Sequence, residues 1–170
     1  MLTLFDRDLG LHYGFFHLCD PRDGPPIGLG TDGQANGLCG VPGPGSVSMQ
    51  TGLHTGHAPL RIELHGDEPA VDPAWEEIVE VSFTPVDGQL ALMSFDDGAD
   101  LEVPALGPLR VRYCASRMDE AARQDTILDG EPTIDRYLVQ LWPAAHAPDT
   151  VVRVTSDVAR RAHASTPPPP

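Results

Sequence analysis

The chain contains no lysine: all eleven of its basic residues are arginine, set against 25 aspartates and glutamates, for a formal net charge of −14. Nucleic-acid phosphates repel a molecule this negative, which removes the usual electrostatic route to DNA or RNA binding. Basic proteins, metal cations and neutral molecules remain as partners. Cysteine is also scarce. Cys19, Cys39 and Cys114 form no CxxC pair and no zinc-finger spacing. An odd count reads as reduced thiols, and Asp6 and Asp8 stand where a signal peptide would keep its apolar run, so a cytoplasmic location is expected. No stretch approaches the roughly 20 apolar residues of a membrane span.

Glycine and proline are in excess, 17 and 18 of 170 residues. They divide the chain into short segments and argue against long helices. The remainder can form one domain whose core needs no disulfide or metal, with residues 1–164 as the domain and 165–170 as a proline-rich tail.

Alternation of apolar and polar residues marks the strands. Residues 11–18 (LHYGFFHL) read as the first strand, and residues 20–45 as a long glycine-rich loop. Residues 46–51 form a short strand. In residues 59–65, Leu60, Ile62 and Leu64 point one way, and Arg61, Glu63 and His65 the other. Residues 76–84 repeat the pattern, with Val79, Val81 and Phe83 inward. Asp87-Gly88 turns the chain into residues 90–95. Residues 101–103 are short. Residues 109–115 alternate again, with Val111 and Tyr113 inward and Arg110 and Arg112 outward. Residues 118–124 read as a turn or one-turn helix. Residues 137–142, including Leu138, Leu141 and Trp142, are apolar on both faces and suit a central strand. Residues 151–154 form the last strand, and residues 157–164 a helix capped by Ser156 or Asp157. The fold class expected is mostly β, an antiparallel β-sandwich of about 8–9 short strands with a short C-terminal helix.

Several motifs suggest chemistry. Gly28 to Gly33 reads GLGTDG, but no strand precedes it and no helix follows, as phosphate binding on a helix N-terminus requires. His54 and His57, with His65 and the nearby Asp67 and Glu68, could ligate a metal. This leaves a metal-dependent enzyme or ligand binder as an alternative reading, although no cofactor is expected. Cys39 lies in GLCG without a histidine fixed beside it. No GxSxG elbow occurs, and adjacent carboxylates on a strand face opposite ways.

The most distinctive feature is the charge layout. Between Arg61 and Arg110 lie twelve acidic residues and no arginine. Outward-facing acids there would form one continuous negative surface able to steer a basic partner onto itself. The residues expected to bind are Asp67, Glu68, Asp72, Glu76, Glu80, Asp96, Asp97 and Asp100.

The stretches TGLHTGHAPLRIEL, WEEIVEVSF, LRVRYCA and IDRYLVQLWPA together resemble a group of uncharacterised actinobacterial proteins. The order of strand, acidic turn, strand, proline-glycine turn and R-V-R strand (VPALGPLRVRY) is similar to the competence protein J family. That resemblance implies a β-sandwich and a non-enzymatic, inhibitor-like binding module whose partner would be a basic nuclease or toxin. It transfers no inhibitory residue to this chain.

Overall fold

In the computed structural model, which describes residues 1–104 and 107–166, the chain forms two packed β-sheets and two short helices. The elements run β1 (Leu2–Leu11), β2 (Phe15–Cys19), β3 (Cys39–Gly43), β4 (Ser46–Gln50), β5 (Gly56–Leu64), β6 (Glu77–Phe83), β7 (Gln89–Met93), β8 (Gly98–Glu102), β9 (Leu109–Ser116), α1 (Met118–Gln124), β10 (Arg136–Pro143), β11 (Thr150–Arg153) and α2 (Asp157–Ser165). One sheet has the order β1-β5-β10-β9-β6-β11 and the other β3-β4-β2-β7-β8. Among the described residues every pairing between these strands is antiparallel except that of β5 with β10, and Thr55 and Thr126 form an isolated parallel bridge. The fold is thus the expected β-rich sandwich, with 45% strand and 10% helix.

The core lies between the sheets. The inward residues of β5, β6, β9 and β10, among them Leu60, Ile62, Val79, Val81, Phe83, Val111, Tyr113, Val139 and Leu141, meet Phe16, Leu18, Val47, Met49, Leu90 and Leu92 of the second sheet. Each is at most 2% exposed, and Leu60, Ile62, Val79, Val81, Phe83, Val111 and Tyr113 lie inward as the sequence alternation places them. Leu138 and Trp142 have the opposite phase. Trp142 is buried on the outer face of the first sheet, while Leu138 is only partly covered there.

The elements differ from expectation in four places. Residues 11–18 are not one strand, because the chain crosses between sheets at His12-Tyr13-Gly14, with Tyr13 at φ 66° and Gly14 at φ 74°. A ten-residue edge strand, β1, precedes the crossing. The glycine-rich loop contains β3, and α1 is a seven-residue helix. The C-terminal helix is as expected: Ser156 is its N-cap and accepts from Ala159 N at 3.1 Å. Asp119 of α1 also accepts from the Asp157 and Val158 amides of α2, which locks the two helices together. Residues 105–106 of the VPALGP turn and 167–170 of the expected tail lie outside the described residues. Among the described residues no helix is long and apolar enough to cross a membrane.

Candidate protein-binding surface

The acidic block is not one outward-facing set. Its outward-phase strand members Glu63 and Glu80 are covered by other groups, Asp100 and Glu102 stay exposed, and Glu77 falls in the inward phase of Val79 and Val81. On the outer face of the first sheet, register aligns Glu80 with Arg112 and Arg112 with Gln140, and on β5 Glu63 stands opposite Gln140. Arg112 donates to Glu80 at 2.8 Å and to the Pro69 carbonyl at 2.7 Å, and stacks over Trp142 at 5.0 Å. Arg110 donates to Glu80, to Ser82, to the Ala147 and Pro148 carbonyls and to Thr150. Both arginines are buried, and Glu80 is their shared counter-ion. Glu63 is buried among Arg61, His65 and Gln140. Glu77, 1% exposed, accepts from Thr155 and Ser156 and fixes the approach to α2.

The eight expected binding acids therefore sit in different settings. Asp67, Glu68, Asp72 and Glu76 belong to the segment between β5 and β6 that crosses the outer face of the first sheet. Asp67 and Asp72 are exposed there; Glu68 pairs with Arg112, and Glu76 accepts from the Arg117 amide. Glu80 is committed to Arg110 and Arg112. Asp96, Asp97 and Asp100 belong to the β7–β8 hairpin of the second sheet. Asp97 clasps the edges of the two sheets: both its oxygens accept from Arg7 of β1, at 2.8 and 2.9 Å, and it also accepts from the Gly10 and Gly98 amides. The Arg7 guanidinium, helped by those amides, holds the Asp97 carboxyl down at about 2. Asp100 is exposed, and Asp96 is exposed with His12 at 3.3 Å.

The histidines separate. The His54 ring lies beside Thr55 Oγ1 and edge-on to Tyr13, His57 opens β5, and His65 pairs with Glu63. No group of three or more metal-ligating side chains forms among the described residues. Cys39 is fully buried, and burial pushes its thiol well above the ordinary range; Cys114 is pushed up to about 12 in the same way.

Sequence reading alone missed a second surface. The β1–β2 crossing, the turn after β7, the segment between β4 and β5 and the segment after α1 meet at one end of the sandwich. Gly14 donates to the His54 carbonyl, the His54 and Thr55 amides to the Asp125 carbonyl, and the Ile127 amide to the Thr55 carbonyl. Beneath them, buried Asp135 and Tyr137 hold the loop: Leu53 N donates to Asp135 at 2.9 Å, Gly52 N donates to the Tyr137 hydroxyl at 2.8 Å, and that hydroxyl donates to Asp135. On top, Tyr13 lies 5.3 Å from Phe95, edge to face, and His12 lies 5.7 Å from Phe95. Tyr13 is 56% exposed, Phe95 71% and Leu128 67%. A left-handed φ costs a non-glycine residue about 1 kcal/mol. Tyr13 carries that cost while staying 56% exposed.

The fold defined here is a sandwich of one mixed and one antiparallel sheet closed by two short helices. Among solved structures it is shared by ComJ, inhibitor of the DNA degrading activity of NucA, from Bacillus subtilis, with a TM-score of 0.63 at 16% identity over 84% of this chain and 98% of ComJ. It is also similar to the protein of crocagin biosynthetic gene J, with a TM-score of 0.53 at 15% identity over 85% of this chain and 100% of the other. At such identities the likeness is one of fold, which agrees with the resemblance carried by the strand segments. No protein-family model matches the chain, and no curated protein does.

Proposed function

We propose that this chain is a protein-binding module of inhibitor type, which docks on a basic protein, a nuclease or a toxin, and covers the surface that protein uses for phosphate. The observation that carries this reading is how the charges are spent. Seven of the eleven arginines are engaged in ion pairs within the molecule. Asp67, Asp72, Asp96 and Asp100 stay exposed and pair with no arginine among the described residues. The excess negative charge is therefore displayed outward, where it attracts basic proteins and repels nucleic acid. The shared fold with ComJ, which inhibits a nuclease, supports the same reading.

The test is a DNA-degradation assay with a panel of basic nucleases, NucA among them, titrated with the purified chain. The expected result is stoichiometric inhibition of at least one member, with an association rate that falls as salt rises. Absence of inhibition and of salt-sensitive binding across the panel, or retention of DNA by the chain itself, would sink the proposal.

A further inference from the structure

We infer that the partner is held at the loop end of the sandwich, with an arginine or lysine side chain of a basic protein entering the cleft between Asp96 and Asp129 while Tyr13, Phe95 and Leu128 pack against its surroundings. This rests on the binding-module reading and assigns it a place. The cleft has a volume of about 640 Å³ and is lined by His12, His57, Asp96, Thr126, Leu128 and Asp129. Three large apolar side chains project beside it, each more than half exposed. Aromatic anchors next to a cleft are the usual energetic centre of a protein interface.

Three observations select a cationic protein as the occupant. First, a carboxylate beside aromatic rings is the setting that holds a guanidinium, by ion pairing and by stacking together. The molecule uses this device internally, where Arg112 lies over Trp142 and pairs with Glu80. Second, Asp96 and Asp129 are both exposed; Asp96 meets His12 at 3.3 Å, and neither acid pairs with an arginine among the described residues, so no guanidinium of the chain itself neutralises the cleft. Third, Tyr13 is kept in the left-handed region although it stays 56% exposed and its ring contacts are with the exposed Phe95 and with His54 rather than with the core. The loops below are pinned by Asp135 and Tyr137, so the surface is formed before a partner arrives. The acids of the β5–β6 segment lack such anchors: Glu68 is spent on Arg112, and Trp75 stacks under Arg136.

The experiment is an amide chemical-shift titration of the ¹⁵N-labelled full chain with a capped Gly-Arg-Gly peptide, with Gly-citrulline-Gly as the uncharged control. Shifts are expected at residues 10–14, 54–57, 95–97 and 125–130 with the arginine peptide alone. Tyr13→Asn, Phe95→Ser and Asp129→Asn should each weaken binding about tenfold. Tyr13→Asn should do so while melting no lower than the parent, because asparagine tolerates the left-handed backbone; a merely structural tyrosine would not separate the two. Arginine-dependent shifts centred on residues 67–76, or variants that bind as the parent does, would overturn this assignment and leave the binding-module reading standing. No arginine-dependent shifts anywhere would overturn the assignment, and with a nuclease panel that is neither bound nor inhibited the broader reading falls too.

Discussion

Single residues carry unequal electrostatic work in this molecule. His17, 3% exposed on β2, sits with Nδ1 2.7 Å from Ser48 Oγ, and burial lowers its pKa from 6.5 to about 4. The folded state therefore holds a neutral imidazole where the unfolded chain takes up a proton. Its contribution is complete above pH 6.5 and is lost as pH falls through 6.5 toward about 4. In that window unfolding free energy should decline by up to ~1.4 kcal/mol per pH unit from this group. Denaturant titrations at several pH values should show that decline in the parent and a flatter profile in His17→Gln; equal slopes would exclude the assignment. Asp97 acts in a lower window. Its pKa is depressed from 3.8 to about 2, so its stabilisation is present above 3.8 and is lost as pH falls through about 2. Asp97→Asn should cost about 1–2 kcal/mol at neutral pH by loosening Arg7 and the Gly10 amide. An unchanged melting temperature would show that the clasp contributes nothing.

At the scale of elements, the decisive feature is the row Glu80–Arg112–Gln140 across the outer face of the first sheet. Removing one member of a buried ion pair leaves its partner uncompensated and costs about 3–5 kcal/mol. Glu80→Gln should therefore lower the melting temperature sharply, whereas Asp100→Asn, on an exposed carboxylate, should stay within ~0.5 kcal/mol of the parent. Comparable thermal denaturation curves for the two variants would contradict the burial described here. The same row shows how far the elements are legible in sequence. Period-two alternation is local, so β5, β6 and β9 were readable and their inward residues are correct. β1 also alternates, with Phe5, Leu9 and Leu11 inward, but Arg7 falls in the inward phase and hides the pattern. What makes Arg7 acceptable there is Asp97, which lies on the opposite sheet. β3 contains two glycines and a proline and gives no propensity signal; pairing with β4 makes it a strand. α1 starts after Arg117, itself at φ 63° and without a side-chain cap, so no start signal marks it.

For the whole molecule, the net charge of −14 predicts how association should behave. The Debye length shrinks from about 30 Å at 0.01 M salt to about 10 Å at 0.1 M. A basic partner should bind more slowly as salt rises, with the loss in the on-rate. Reversing Asp67, Asp72, Asp96 and Asp100 to arginine should cut that rate while the chain stays folded, since these acids are not structural counter-ions. Stopped-flow measurements on the folded variant would reject electrostatic steering on finding the parent's rate. The sequence by itself determined the sign and size of the charge, the β-rich class, the inward phase of the main strands and the capped C-terminal helix, because each depends on composition or on neighbours a few residues apart. Only the tertiary structure decided which acids are free. Whether an outward carboxylate meets water or a buried arginine depends on segments such as 66–76 and 143–150 folding over the sheet. For the same reason Tyr13, Phe95 and Leu128, far apart in the chain and without a shared motif, became one surface only when four loops met at one end of the sandwich.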